Sequence, residues 1–358
     1  MAYKYVQAGG QLNKYLTYKL NNLTIPDELT NNCRLKPWHF SWGNDTGISG
    51  GSVLVINNTT FNNVVFSENA FSSMFRSSLD ALNYGEISFN NHDITINYDS
   101  DMDSITGNFI GDYCFENDID LNSITINITD DITTGTAGKV LCSTQAFRSV
   151  YVGGKSKLKH LYFNLRPIGA TTNRFKAKAL SSMDYIENLD LTYLFSGDGT
   201  TVIAGSNANL EYIYSPTAIV KNNGQAFTSN SKVKEIFHTE LYINDKDSSF
   251  GTVGVGSFTG NSSLTALILY GDGQNVLPLY NTSYFNTCYH ILGTYNATYN
   301  PDTLHDGYIY VPDALVNSYK SASNWSNFAS QIKGLSEYPA DGHFYTQVQA
   351  LINGTLLN

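Results

Sequence analysis

The chain has 358 residues, 42% of them hydrophobic and only 15% charged, against about 25% charged in an average globular protein. With 25 Tyr and 19 Phe it is too aromatic to be disordered, and too poor in Ala, Glu, Lys and Arg to be a coiled coil. The net charge of −10, from 21 basic and 31 acidic residues, argues against nucleic acid and against an anionic membrane surface as partners, since both need a basic face. No stretch reaches the roughly 18 consecutive apolar residues of a membrane span, so no membrane insertion is expected. The first residues, Met1 to Gln7, contain no apolar run of the kind found in a secretory signal. Cys33, Cys114, Cys142 and Cys288 form no CxxC pair and read as reduced, mostly buried thiols.

In chain order, residues 1–50 stand apart as an attachment or capping segment. Leu12, Tyr15, Leu16, Leu20 and Leu23 fall at mostly helical spacing, and Pro26 ends that pattern. Trp38, Phe40 and Trp42 follow as an aromatic cluster. Such a cluster suits either docking on a larger assembly or capping of the domain that follows. Residues 51–306 carry a repeat. Six segments share an apolar residue, two variable residues and a second apolar residue: Leu121–Ile124, Leu158–Leu161, Ile186–Leu189, Leu210–Ile213, Val233–Ile236 and Leu264–Leu267. Their first positions are separated by 37, 28, 24, 23 and 31 residues, within or near the range of leucine-rich repeats. Ala146-Phe147, Ala226-Phe227 and Ser257-Phe258 place a small residue before an aromatic ahead of a repeat. Ala70-Phe71 with Leu79 and Leu82 reads as a degenerate copy, and Ile87–Phe89 and Ile94–Ile96 alternate like strands. These features predict a mainly β fold, a leucine-rich-repeat solenoid of short parallel strands. Each strand would point its apolar residues inward, and each aromatic would close the opposite wall.

Residues 307–338 read as a small helical C-terminal cap. Tyr308–Val311 is the predicted last strand, and Pro312 opens a helix carrying Ala314, Leu315 and Tyr319. Trp325, Phe328 and Ile332 mark a second short helix. The breaker-rich link Tyr338-Pro339-Ala340-Asp341-Gly342 leads into the tail segment, residues 339–358. There Phe344, Val348, Leu351 and Ile352 predict an amphipathic tail helix. At about ten residues it must dock on its own chain, a second copy or a neighbour.

The stretch Gly260-Asn261-Ser262-Ser263-Leu264-Thr265-Ala266-Leu267-Ile268-Leu269, with the Ala-Phe and Ser-Phe dipeptides, resembles the BspA-like leucine-rich-repeat family. The module Gly307 to Leu335 resembles the closing module of such arrays. The resemblance covers roughly residues 60–338 and is strongest over 257–338. It implies a non-enzymatic structural protein of a bacteriophage particle, on tail, fibre or head, presenting its repeats for host attachment. The expected location is the virion surface. The expected partners are other virion proteins and a host cell-surface glycan or protein, with a homo-oligomer possible. A bacterial cell-surface adhesin is the alternative.

Catalytic motifs are weak. Gly47-Ile48-Ser49-Gly50-Gly51 has the GxSxG spacing, but a strand-like run follows the Ser where a nucleophile elbow needs a helix. The seven His show no HExxH. Asp99, Asp101 and Asp103 alternate as in calcium loops, yet Ser104 and Ile110 stand where an EF-hand needs Gly and Glu. No catalytic residue, metal or cofactor is expected. The candidate ligand surface comprises Tyr162, Tyr212, Tyr214, Lys232, Lys234 and Tyr242 between the inward positions, with His238 also read as outward-facing. Tyr gives large contact area at low entropic cost. Trp38, Phe40 and Trp42 are the candidate attachment residues.

Overall fold

The computed structural model describes residues 20–23, 30–35, 53–56, 59–67, 86–88, 93–99, 102, 108–115, 122–128, 140–143, 145–147, 158, 160–164, 180, 183, 186, 188–190, 195–196, 205–215, 219–220, 227–238, 258–279, 282–291 and 305–356. These residues are mainly parallel β-strands with a few short helices. The chain divides into two compact units, one of Met1–Ile186 and Ser196–Asp198, the other of Glu187–Phe195 and Gly199–Asn358. The degenerate copy over 70–82 lies outside the described residues.

In the first unit the strands are β1 (Leu20–Leu23), β2 (Arg34–Leu35), β3 (Val53–Ile56), β4 (Thr59–Asn62), β5 (Val65–Phe66), β6 (Glu86–Ser88), β7 (Asp93–Tyr98), β8 (Asn108–Ile110), β9 (Ser123–Ile128), β10 (Val140–Cys142) and β11 (His160–Asn164). They build three parallel sheets, β1-β3-β6, β4-β7-β9-β11 and β2-β5-β8-β10. The chain visits the sheets in one order, β3 to β4 to β5 and then β6 to β7 to β8. Residues Leu20–Leu23, expected at helical spacing, are therefore a strand paired with Val53–Ile56. Their backbone pairs with a strand distant in sequence, and that pairing outweighs a local 3.6-residue pattern.

Period-2 alternation decides what is inside. Ile94, Ile96 and Tyr98 of β7 are buried, as are Ile124, Ile126 and Ile128 of β9 and Leu161 and Phe163 of β11. The register aligns Phe61, Ile96, Ile126 and Phe163 in one inward row. An aromatic column runs through the same core, with Phe66–Phe115 centroids 5.5 Å apart and Phe115–Phe147 5.7 Å.

The second unit holds β12 (Asn188–Asp190), Phe195 of β13 (Phe195–Ser196), β14 (Tyr212–Ser215), β15 (Ile219–Val220), β16 (Glu235–His238), β17 (Ala266–Leu269), β18 (Tyr308–Val311) and β19 (Ile332–Gly334). Strands β12, β14, β16, β17, β18 and β19 pair in that order, all parallel. Their register brings Leu189, Ile213, Ile236, Leu267, Ile309 and Ile332 into one buried row. Leu210, Val233 and Leu264, the first residues of this unit's repeat segments, are buried as well, as is Ile186 in the first unit. Phe227, Phe258 and Phe285 form a column, 6.3 and then 5.5 Å between centroids.

The corners before β14, β16 and β17 each hold a buried Asn. Asn207 N donates to Asn230 Oδ1 at 3.0 Å, Asn230 N to Asn261 Oδ1 at 2.9 Å, and Asn261 Nδ2 to Phe227 O at 2.6 Å. The residue before each Asn has a left-handed backbone: Ser206 (58°), Ser229 (61°) and Gly260 (84°). That conformation turns the chain and aims the Asn inward, where it satisfies backbone groups that the corner would leave unpaired.

Beyond β18, Pro312 precedes a 3₁₀ turn, Asp313–Leu315, that leads into α1 (Val316–Ser321). Trp325 and Phe328 lie on a second 3₁₀ helix, Trp325–Gln331, and are buried. Ile332, expected on that helix, instead starts β19, so Tyr308–Val311 is the penultimate strand. Trp325 Nε1 donates to Leu277 O at 2.6 Å, and Leu277 N donates to Tyr319 Oη at 3.0 Å. The tail helix forms as α2 (Tyr345–Ile352).

Two substitutions test this packing. Leu267→Asp places an unpaired charge in the buried row and is expected to abolish the cooperative thermal transition of the second unit, read by circular dichroism. Asn230→Ala is expected to cost about 1–3 kcal/mol in urea unfolding, because buried donors lose their acceptor.

Candidate functional site

The outward side chains of the second unit include the predicted Tyr212 and Tyr214, and the tail lies over them. His343 stacks flat on Tyr212, with centroids 3.6 Å apart at 10°. Phe344 packs 5.8 Å from Tyr214 and 5.5 Å from Phe237. Phe344, Val348 and Leu351 share a buried cluster with Phe237, Ala266, Ile268, Tyr310, Leu335 and Tyr338, and Tyr212 and Tyr214 pack against its margin. Of the predicted apolar tail residues, Ile352 alone points outward. This sheet is thus buried on both faces, which explains why β17 reads Ala-Leu-Ile-Leu without alternation.

A polar latch accompanies the apolar contact. The Glu235 carboxylate accepts hydrogen bonds from Tyr338 Oη and from His343 N, the latter at 3.2 Å. Phe344 N donates to Tyr338 Oη at 3.2 Å. Burial, with the adjoining carboxylate, pushes the Tyr338 phenol well above its ordinary range. Burial pulls the His343 imidazole down, while Glu235 and Glu211 act in the opposite direction.

Lys232 donates to Asn209 Oδ1 at 2.6 Å, and Lys234 pairs with Glu211 at 2.8 Å and lies 5.9 Å from the Tyr212 ring centre. Both lysines are exposed, so the Lys234–Glu211 pair contributes little to stability. Tyr162 belongs to the first unit and is 42% exposed. Its ring lies 6.0 Å from that of His160 at 14°. Tyr242, Trp38, Phe40 and Trp42 lie outside the described residues, as does the GxSxG segment.

His238, expected outward, is fully buried. It lies two residues after the inward Ile236, so strand alternation turns it the same way. Its Nδ1 is 2.7 Å from Ser215 Oγ, its Nε2 has no hydrogen-bond partner, and its ring stands edge-on to Phe227. Burial lowers its pKa to about 4, only partly offset by a bond to the Ser215 backbone. Both members of the Ser–His pair are enclosed in the core, so no substrate reaches them. All four cysteines are free, and burial pushes the Cys288 thiol up to about 12. Among the described residues, no three His, Cys, Asp or Glu side chains are grouped to hold a metal ion. Asp99 is engaged by Asn63, whose Nδ2 donates to it at 2.7 Å.

The first unit carries an outward pattern that apolar spacing alone passes over. Thr60-Phe61-Asn62, Thr95-Ile96-Asn97 and Thr125-Ile126-Asn127 are aligned Thr-x-Asn triplets, and Tyr162-Phe163-Asn164 continues the register. Asn62 Nδ2 donates to Asn31 Oδ1 at 2.9 Å, Asn97 Nδ2 to Asn62 Oδ1 at 2.9 Å, and Asn127 Nδ2 to Asn97 Oδ1 at 2.8 Å. One row away, Asp93 Oδ1 accepts from Asn122 Nδ2 at 2.9 Å and from Ser123 Oγ at 2.7 Å. The signal was present in sequence as three Thr-x-Asn triplets roughly one repeat apart.

Two outcomes follow from this geometry. His238 binds fewer protons folded than unfolded, so its contribution is complete above pH 6.5 and is lost as pH falls toward 4. Urea unfolding of the wild type is therefore expected to lose about 3 kcal/mol more over that window than His238→Gln does. The eight-residue α2 is too short to persist undocked. Phe344→Ala is expected to cost about 3–5 kcal/mol and to abolish amide protection over Tyr345–Ile352 before that of β16 and β17, as read by hydrogen exchange. Compared with protein-family models, with curated proteins and with solved structures, the chain matches none.

Proposed function

We propose that this chain is a non-enzymatic structural protein of a bacteriophage particle, built as a leucine-rich-repeat solenoid of the BspA-like kind and used for host attachment. The observation that carries the solenoid reading is the in-register buried row Leu189, Ile213, Ile236, Leu267, Ile309 and Ile332. Four of these are second apolar positions of the repeat segments. In such a stack one repeat covers the next, and the aromatic cap seals the last one. The Phe column ahead of β16, β17 and β18 and the Asn corners ahead of β14, β16 and β17 each recur from strand to strand, as expected of a repeat unit.

The attachment reading draws on the BspA-like resemblance together with the outward faces. A stack of strands exposes alternate residues over a broad surface, with no need for a cleft. The acidic balance of the chain suits a partner other than nucleic acid. The test is proteomics of purified phage particles with immunogold labelling. The chain is expected in the particle, at tail, fibre or head surface. Its absence from particles, with presence on bacterial cells, would overturn the phage reading in favour of a cell-surface adhesin.

A further inference from the structure

We propose that the outward Thr-x-Asn face of β4, β7, β9 and β11 binds an extended, uncharged, β-1,4-linked glycan laid across the strands, with Tyr162 as its stacking platform. The inference deepens the attachment reading and rests on it.

Three observations converge. The first is repeat matching. Thr60, Thr95, Thr125 and Tyr162 occupy one register row, and Asn62, Asn97 and Asn127 occupy the row two residues on. Parallel strands stand about 4.8 Å apart, close to the advance of one sugar along an extended β-linked chain. A glycan crossing the strands would meet a hydroxyl and an amide at each step. The Thr hydroxyl donates and accepts, as a sugar hydroxyl does. The Asn side chains are already held in one orientation by the ladder that joins Asn31 to Asn127, so little ordering is left for binding to impose.

The second observation is charge complementarity. These rows contain no charged residue, and the carboxylate one row away, Asp93, is engaged by Asn122 and Ser123. A uronate, sialylated or phosphorylated polymer would lose water there without gaining a cation. An uncharged chain loses nothing of the kind.

The third is the aromatic end of the row. Tyr162 is the large apolar side chain that the described part of this unit exposes, and it lies alongside His160. The apolar face of a sugar ring stacks on such a surface while its rim hydroxyls reach the neighbouring Thr. The corresponding tyrosines of the second unit, Tyr212 and Tyr214, are taken up by the tail.

The experiment uses the full chain and N-acetylchito-oligosaccharides of two to six sugars in isothermal titration calorimetry, with cellohexaose and heparin alongside. Binding to whole host cells is measured on the same samples. Affinity is expected to rise with oligosaccharide length, heparin to bind weakly or not at all, and the hexamer to compete with cells. Tyr162→Ala and Thr95→Val, both outward-facing, are each expected to weaken hexamer binding about tenfold or more, as truncation of a central contact does. Thermal melts are expected to stay unchanged. If the wild type binds cells, the hexamer does not compete and both variants bind cells equally, this inference is overturned and attachment stands. If the wild type binds neither cells nor oligosaccharide, both fall. Heparin binding more tightly than the hexamer would overturn the assignment of an uncharged ligand.

Discussion

The constraint on which the structure depends is that no strand covers its own inward residue. Ile236 is enclosed because Ile213 lies on one side and Leu267 on the other, at the same register. Main-chain hydrogen bonds between parallel strands fix that register, and a slip of one residue would turn every inward side chain to the opposite face. The corners obey the same rule: Asn230 gives its side-chain oxygen to the Asn207 amide and takes the Asn261 oxygen on its own. Apolar rows, aromatic columns and Asn chains are thus three expressions of one translation along the sheet. In the proposed solenoid that translation is the repeat itself.

A stack of this kind has ends, and the second unit treats its final strand with care. Trp325, Phe328 and Tyr319 are buried in the closing segment, and Trp325 reaches back to the carbonyl of Leu277. The outer face of the same sheet is closed separately by α2 and the residues before it. Strands β14, β16, β17 and β18 therefore have an inner buried row and an outer cluster shared with the tail. Glu235 contributes its backbone to the sheet and its carboxylate to the latch on Tyr338 and His343.

The sequence was legible where one residue type answers one need. Ile186, Leu210, Val233 and Leu264 were readable as inward positions because strand geometry demands apolar residues there. The helical spacing of Leu20 and Leu23 misled, because a short apolar segment takes its conformation from the neighbour it pairs with. β19 was hidden inside an aromatic stretch that has helical spacing. His238 is polar by type, yet its two-residue distance from Ile236 places it inside. Tyr212 and Tyr214 were legible as outward-facing, but their cover comes from residues more than a hundred positions later, which no local pattern announces. The Thr-x-Asn rows leave no mark on apolar periodicity, because their polar side chains carry no weight in it.

The alternation along β4, β7, β9 and β11 has a consequence for how this surface can change. Inward residues such as Phe61, Ile96, Ile126 and Phe163 hold the sheet together, while the residues between them are free of that duty. The outward row Thr60, Thr95, Thr125 and Tyr162 can therefore be rewritten one strand at a time with little penalty to folding. In the second unit the equivalent row is committed to the tail and lacks that freedom. A lineage pressed to follow a shifting target would find its room for variation in the first unit, and would pay in stability for any change in the second.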